Sequence, residues 1–179
     1  GAGRRGFQPV VHDEFAYLLQ AETFAWGRLT NPTPPHHAFL ETFHVIMEPT
    51  YTAKYFPGQA LPLALGFLLG LPIVGVWLTG LGLVPLGIEI FRRFGNLFCA
   101  CMVTLFLYIT YFLLMYFGHT YWGGSFFMLC GGLMLLAVLL WQERRHTTAG
   151  ILFGIGAGLC LLTRPYEGFF WGAACLAYL

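Results

Sequence analysis

The sequence predicts an all-α fold: a polytopic integral membrane helix bundle with a loop region at the membrane surface. Hydrophobic residues make up 58% of the chain and charged residues only 9%, whereas soluble domains carry roughly 25% charge. The mean hydropathy is +0.69. Charged residues after residue 58 stand only at the ends of apolar runs, where they can reach water: Glu89, Arg92, Arg93, Glu143, Arg144, Arg145, Arg164 and Glu167.

Residues 1–57 are expected to form a juxtamembrane loop region, and residues 58–179 the helix bundle. The loop region opens with a predicted helix from Asp13 to Trp26, with Asp13 and Glu14 in its first turn, where the helix dipole favours a carboxylate. We expect this helix to lie along the membrane surface. Its apolar residues recur at roughly helical spacing: Phe15, Leu18, Leu19, Phe24 and Ala25.

The segment from Gly27 to Gly58 is rich in proline and histidine. Dense prolines favour an ordered, extended loop over a regular element, and long ordered loops often bind ligands. The histidines, together with Glu41, could converge on a divalent ion, but their spacing matches no compact metal signature. The sequence therefore requires no cofactor, and a divalent metal stays an open alternative, with these histidines as its candidates: His12, His36, His37 and His44.

The apolar stretch from residue 58 to residue 91 is divided by Pro72. A helix needs roughly 20 residues to cross the hydrocarbon core, so we predict a short interfacial helix followed by one spanning helix. About five spans are expected in all, the last one cut off at the end of the chain. The predicted helices are Gly58–Leu71 at the interface, then Pro72–Phe91, Leu97–Phe117, Phe126–Trp141, Thr148–Thr163 and a last span that begins near Phe169.

Basic residues set the predicted orientation. Two arginine pairs, at 92–93 and 144–145, follow the first and third spans, and the positive-inside rule places both on the cytoplasmic side. Two full spans between residues 58 and 91 would put both pairs on the wrong side. The loop region and the segments 118–124 and 163–168 are therefore expected to converge on the extracytoplasmic face.

Small residues inside the apolar runs are interpreted as packing residues. Gly150, Gly154 and Gly158 are four residues apart and predict a close-packing stripe between helices. A nucleotide-binding loop is not expected there, because no strand precedes these glycines. The five cysteines are expected to be small buried hydrophobic residues: Cys99, Cys101, Cys130, Cys160 and Cys175.

Four short motifs resemble one family of enzymes. Asp13-Glu14-x-x-Tyr17, followed by Lys54-Tyr55-Phe56-Pro57-Gly58, resembles the first external loop of the membrane-embedded C-type glycosyltransferases. The resemblance is greatest to family 39, the group of protein O-mannosyltransferases and lipid A aminoarabinose transferases. Tyr121-Trp122-Gly123-Gly124 and Arg164-Pro165-Tyr166-Glu167-Gly168 resemble loops of uncharacterised bacterial members. Because that family has a spanning helix before the acidic motif and further segments at its end, we expect this chain to be an inactive part of a longer protein.

The resemblance implies transfer of a sugar from a polyprenyl-phosphate donor, with inversion, on the extracytoplasmic face of a bacterial inner membrane. Asp13 would take the proton of the acceptor hydroxyl. Glu14 points about 100° away from Asp13 on a helix and would orient the loop or a metal. Lys54 and Arg164 would hold the lipid phosphate. The other substrate-binding residues expected are Tyr17, Tyr55, Trp122, Tyr166 and Glu167.

Each of these roles has a simpler alternative. Arg164 could pair with Glu167 in an interfacial salt bridge of small energetic value, and Lys54 could extend to the lipid headgroups. Asp13 and Glu14 could be the cap and first-turn acids of a helix. Tyrosine and tryptophan at membrane borders commonly form an aromatic belt.

Other functional classes are also considered. A transporter or lipid flippase would place ionisable groups near the bilayer midplane, and the predicted spans contain none. A membrane acyltransferase would need a catalytic histidine or serine, and a structural subunit would need no site. The net charge of +1 argues against nucleic acid as a partner. The expected partners are membrane lipids and the sugar donor, and the acceptor is undetermined.

Overall fold

A computed structural model of the chain describes residues 7–39 and 41–178. Within these ranges the chain is mostly helical, as predicted, with one short antiparallel ribbon. A π-helical segment, Tyr108–Leu114, continues the fourth helix. The elements are α1 His12–Ala25, β1 Val45–Ile46, β2 Thr52–Ala53, α2 Ala60–Leu68, α3 Ile73–Phe91, α4 Leu97–Leu107, α5 Gly124–Gln142, α6 His146–Thr163 and α7 Pro165–Ala177.

Four helices of the described chain are long and apolar enough to cross a membrane. They are α3, α4 together with its π-helical extension, α5 and α6, and they lie where four of the spans were predicted. The predicted start of the fifth span is wrong, because α7 begins at Pro165. Proline is favoured in the first turn of a helix, where no amide hydrogen bond is lost. With 13 residues, α7 is shorter than the four long helices, and Leu179 lies outside the described residues.

The predicted interfacial helix forms as a 3-10 turn at Pro57–Gln59 that runs into α2. A turn with Gly70 at a positive φ of 99° then leads into α3. Pro72 is the residue just before α3. A Cβ atom on Gly66 would lie 2.5 Å from the Pro72 carbonyl oxygen, so the two helices approach closely at a residue with no side chain.

Helix α1 packs against α2, and only part of the predicted apolar face takes part: Leu18, Phe24 and Ala25 pack against a core cluster that α2 shares. Phe15 is 56% exposed, and the other predicted apolar residues are only half-buried. The α1 residues that are buried are mostly small or polar, which allows close approach: Glu14, Ala16, Gln20, Ala21 and Thr23. The loop region is therefore anchored by specific polar contacts as well as by apolar burial.

The predicted glycine stripe on α6 is wrong. Within residues 7–39 and 41–178, a Cβ atom on Gly150, Gly154 or Gly158 would meet no atom within 4 Å. Gly156 instead faces α5, where an added Cβ would lie 2.7 Å from the Cys130 carbonyl oxygen. The contacting residues Ala149, Gly156 and Cys160 are spaced seven and four apart, and this places them on the opposite side of the helix from the predicted stripe.

The cysteines divide by position in the bundle. Cys130, Cys160 and Cys175 are buried, as predicted. Cys99 is exposed and Cys101 is partly exposed on α4, so the prediction fails for this helix. Helix α4 lies at the side of the bundle, and many of its apolar side chains have no packing partner among the described residues.

The two arginine-containing turns lie at the same end of the bundle. Arg93 Nε lies 2.7 Å from Glu143 Oε1 and joins the α3–α4 turn to the α5–α6 turn. Arg92 pairs with Glu89 at 2.7 Å. We call this the basic end. The predicted convergence of the remaining loops is found at the opposite end, called here the polar end.

Candidate functional site

The polar end is held together by hydrogen bonds between segments distant in sequence. The backbone N–H of Tyr121 donates to Glu14 Oε1 at 3.0 Å, and Gln59 Nε2 donates to the Tyr121 carbonyl oxygen at 2.9 Å. A Cβ on Gly58 would lie 2.8 Å from the Leu162 carbonyl oxygen. Helix α1, the 57–59 turn, the loop before α5 and the end of α6 therefore meet at one place.

A short ribbon positions the proline-rich loop, which contradicts the prediction that this loop contains no regular element. Val45 pairs with Ala53 and Ile46 with Thr52, and the Lys54 amide donates to the His44 carbonyl oxygen at 3.0 Å. β-branched residues on both arms favour this pairing. As a result, His44 lies beside Lys54 and Tyr55.

Asp13, His44 and Tyr55 form a hydrogen-bonded chain. His44 Nε2 lies 2.9 Å from Asp13 Oδ1, and the Tyr55 hydroxyl lies 2.6 Å from His44 Nδ1. The neutral tautomer with hydrogen on Nε2 satisfies both contacts, because Nδ1 then accepts from Tyr55 and Nε2 donates to Asp13. The Asp13 side chain is 38% exposed, so this oriented carboxylate remains accessible to a ligand.

Two tyrosines form an aromatic surface next to this chain. The rings of Tyr17 and Tyr55 stack with centroids 4.7 Å apart and an interplanar angle of 21°. Burial, reinforced by the neighbouring Asp13 carboxylate, raises the pKa of Tyr55 far above its usual value, so its hydroxyl stays a hydrogen-bond donor. Burial also raises the pKa of Tyr17, and the positive charge of Arg164 opposes that rise. Arg164 therefore lies within electrostatic range of Tyr17.

Glu14 makes structural contacts with both carboxylate oxygens. Oε2 accepts from the amides of Val10 at 2.7 Å and Val11 at 3.3 Å, while Oε1 accepts from Tyr121. The side chain is only 3% exposed. Glu14 thus fixes the loop before α5 against the start of α1, while Asp13 faces His44.

The two predicted phosphate ligands, Lys54 and Arg164, differ in their surroundings. Lys54 directly precedes Tyr55, is exposed, and makes no ion pair within the described residues. Arg164 Nη1 lies 3.5 Å from Glu167 Oε1, and both side chains are about half exposed. This contact is long and solvated, and it matches the alternative in which Arg164 and Glu167 form a weak interfacial salt bridge.

Trp122 and Tyr166 are not in contact with Asp13. Trp122 is half-buried with its ring against Tyr116, the centroids 5.5 Å apart, and its indole N–H is buried without a partner in the described part of the chain. Tyr166 is 79% exposed. Both residues lie near the polar end through the loop before α5 and the start of α7.

Two histidines of the histidine-rich loop each pair with one acidic side chain. In the described residues, no group of three or more histidine, cysteine or acidic side chains is arranged to hold a metal ion. His37 pairs with Glu48 at 3.1 Å, and His44 pairs with Asp13. Because both ring nitrogens of His44 are already in hydrogen bonds, His44 would have to give up one of them to bind a metal.

Sequence reasoning missed the positions of His44 and Tyr121. The sequence suggests a metal-binding or hydrogen-bonding role for His44 but does not identify its partner, because the contact with Asp13 depends on the register of the ribbon. The sequence feature that could have predicted this contact is the presence of β-branched residues on both sides of Glu48-Pro49. They favour a ribbon that brings residue 44 opposite residue 54. No comparable signal exists for Tyr121, whose partner Glu14 is 107 residues away.

Comparison with known proteins gives no match. No protein-family model, curated protein sequence or solved structure matches this chain. The family resemblance therefore stays a prediction from short motifs. Function is inferred here from the residues and geometry of the polar end.

Proposed function

We propose that this chain carries the donor-binding face of an integral membrane glycosyltransferase. The enzyme transfers a sugar from a polyprenyl-phosphate donor to an acceptor at the extracytoplasmic face of a bacterial inner membrane. Four helices of suitable length and composition support a membrane location. The positive-inside rule favours the polar end as the extracytoplasmic one, since the arginine pairs lie at the opposite end.

The accessible, oriented Asp13 carboxylate is the observation that carries this proposal. His44 holds one oxygen of Asp13 at 2.9 Å, and the ribbon in turn holds His44. A carboxylate fixed in this way at a water-accessible surface suits a general base. Asp13 is therefore the residue proposed to accept the proton of the acceptor hydroxyl.

The reaction is a direct displacement at the anomeric carbon. The acceptor oxygen forms a bond to that carbon as its proton moves to Asp13. The bond from the anomeric carbon to the phosphate oxygen breaks, and the electron pair leaves with the polyprenyl phosphate. Attack from the face opposite the leaving group inverts the configuration.

Lys54 and Arg164 are proposed to stabilise the departing phosphate. Arg164 has only a long, solvated contact with Glu167, and exposed pairs of this kind contribute about 0–1 kcal/mol. A phosphate oxygen can therefore replace Glu167 at low energetic cost. A lysine ammonium binds phosphate as a point charge and an arginine guanidinium binds it as a planar fork, so the two residues have complementary roles.

The Tyr17–Tyr55 stack is proposed as the wall of the sugar site. The stack lies next to Asp13, and the charge of Arg164 acts on Tyr17, so the proposed complex has the aromatic surface between the base and the phosphate. That is where the transferred sugar must lie in a displacement reaction. Aromatic faces pack well against the C–H faces of sugars.

The proposal is tested with the full-length protein in membranes and a panel of radiolabelled polyprenyl-phosphate sugars. Release of polyprenyl phosphate is measured for the wild type, for Asp13→Asn, and for Glu22→Gln. Glu22 is an exposed acid on the same helix that does not contact His44. Its substitution therefore removes the same negative charge without changing the contact between Asp13 and His44. We expect Asp13→Asn to lower turnover by about 10²–10⁴ and Glu22→Gln to leave it unchanged.

Two results would contradict the proposal. Equal turnover in the wild type and Asp13→Asn would remove Asp13 from the mechanism. Movement of an intact donor across the bilayer, without release of polyprenyl phosphate, would instead identify the protein as a lipid flippase.

A further inference from the structure

A polar hollow lies at the basic end of the bundle, far from Asp13. It has a volume of about 400 Å³ and opens between the α3–α4 and α5–α6 turns. Its wall combines three arginines, one glutamate and one leucine: Arg92, Arg93, Leu97, Glu143 and Arg145.

The acidic side chains at this end are already paired with arginine. Glu143 accepts two hydrogen bonds from Arg93, at 2.7 Å and 3.3 Å. Glu89 is bonded to both Arg92 and Arg93. Four arginines, at positions 92, 93, 144 and 145, face two glutamates, so these turns carry a net charge of +2.

Arg145 is the cation of the hollow that has no partner. It is exposed and makes no ion pair within the described residues, whereas Arg92 and Arg93 are held in place by glutamates. Arg145 can therefore donate to an added anion without breaking a contact. Arg93, with a side chain only 12% exposed, forms the rigid floor between the two turns.

The surroundings of the hollow fit a lipid headgroup better than a soluble anion. Leu97 forms one wall, and the same turn exposes Phe94 and Phe98. Trp141 packs edge-on against His146 with centroids 4.4 Å apart, and tryptophan near the end of an apolar helix marks the headgroup level. Apolar side chains therefore lie next to the cationic site, where acyl chains would continue from a phosphate.

We propose that this hollow binds the phosphate of an anionic membrane phospholipid, with Arg145 and Arg92 as its ligands. Basic pockets between spanning helices commonly bind anionic headgroups. The bound lipid would bridge the two turns already joined by Arg93 and Glu143. This inference depends on a membrane location for the helices but not on sugar transfer.

The test measures lipid retained by the purified protein. Membranes of phosphatidylcholine and phosphatidylglycerol are solubilised, and phospholipids that remain bound are counted by native mass spectrometry. Arg145→Gln is compared with Arg144→Gln, which removes the same charge one residue away but does not line the hollow. We expect Arg145→Gln to lower phosphatidylglycerol retention about fivefold, equivalent to about 1 kcal/mol for one basic residue at an anionic surface, and Arg144→Gln to have little effect.

A second measurement separates the lipid from a soluble anion. The thermal midpoint of unfolding is recorded with added phosphatidylglycerol, with phosphatidylcholine and with inorganic phosphate. Stabilisation by phosphatidylglycerol alone, lost in Arg145→Gln, supports the proposed site. An equal loss of retention in both arginine variants, no loss in either, or equal stabilisation by inorganic phosphate would overturn it. Since sugar transfer is not measured, failure here leaves the function of the polar end unaffected.

Discussion

The carboxylate of Glu14 accepts a hydrogen bond from the backbone amide of Tyr121 at 3.0 Å, across 107 positions of sequence. The Tyr121 hydroxyl in turn donates to the Phe7 carbonyl oxygen at 2.6 Å. The loop before α5 is thus joined to the first turn of α1 by a buried bond and to the segment before α1 by a partly buried one. This junction fixes where Asp13, the next residue to Glu14, is placed.

Glu14→Ala is expected to lower the free energy of unfolding. The substitution leaves the buried amide of Tyr121 unpaired, and hydrogen bonds to charged groups contribute about 1.5–3 kcal/mol. Unfolding in mixed detergent micelles, followed by tryptophan fluorescence, measures the change. Glu22→Gln, an exposed substitution on the same helix, is the control; equal stability of the two variants would show that the Glu14 contacts are not stabilising.

His44→Phe is expected to lower kcat for donor turnover about fivefold to tenfold, the equivalent of one hydrogen bond of about 1 kcal/mol. Phenylalanine preserves a flat ring against Tyr55 but cannot bind Asp13. If Asp13 is the base, as proposed, and His44 only orients it, KM is expected to stay constant. His37→Phe in the same loop serves as the control. A rise in KM with kcat unchanged would mean that His44 contacts the donor and does not position Asp13.

The hydroxyl of Tyr55 predicts a pH dependence of stability. Its pKa in the folded protein is raised above the usual value of about 10, so the folded state holds the proton more tightly than the unfolded state. The associated stability is complete below pH 10 and is lost as the pH rises above that value. The midpoint of thermal unfolding is measured from pH 8 to pH 11.5 for the wild type and Tyr55→Phe. The difference in stability between the two proteins should shrink as the pH rises above 10. A constant difference between the two proteins across that range would show that the hydroxyl does not titrate in this way.

A pair of glycines on α6 tests the packing of the bundle. A Cβ on Gly156 would lie 2.7 Å from both the Cys130 carbonyl oxygen and Met134 Cγ, so Gly156→Ala is expected to destabilise by about 1–3 kcal/mol. Gly154→Ala meets no atom within 4 Å and is expected to be neutral or to stabilise by about 0.5–1 kcal/mol through helix propensity. Both are measured by unfolding in detergent. The reverse order of stability would show that α6 packs through the Gly154 face.

The helices were predictable because their signal is local. A long apolar run bounded by charge or proline identifies a spanning helix without knowledge of its neighbours, and α3, α5 and α6 were located to within a few residues. Helix rotation was less predictable. On α6 nearly every residue is small or apolar, so the sequence contains no contrast to show that Gly156, and not Gly154, faces α5.

The site was predictable only in part, because the sequence identifies local features but not the contacts between distant segments. Asp13, Tyr17 and Tyr55 stand out in the sequence as polar or aromatic residues beside apolar runs, and the structure brings these three together. Their relationships depend on register and on contacts over long sequence separations. The ribbon decides that His44, and no other histidine, meets Asp13.

By itself the sequence determined the composition, the bounds of the apolar helices and the segregation of basic turns from the other loops, because these follow from hydrophobic length and charge position. Only the tertiary structure decided which carboxylate is buried and which is accessible. Asp13 and Glu14 are chemically similar neighbours, but helical geometry turns them to different sides. Glu14 meets the Tyr121 amide and Asp13 meets His44, so packing buries one carboxylate and leaves the other accessible.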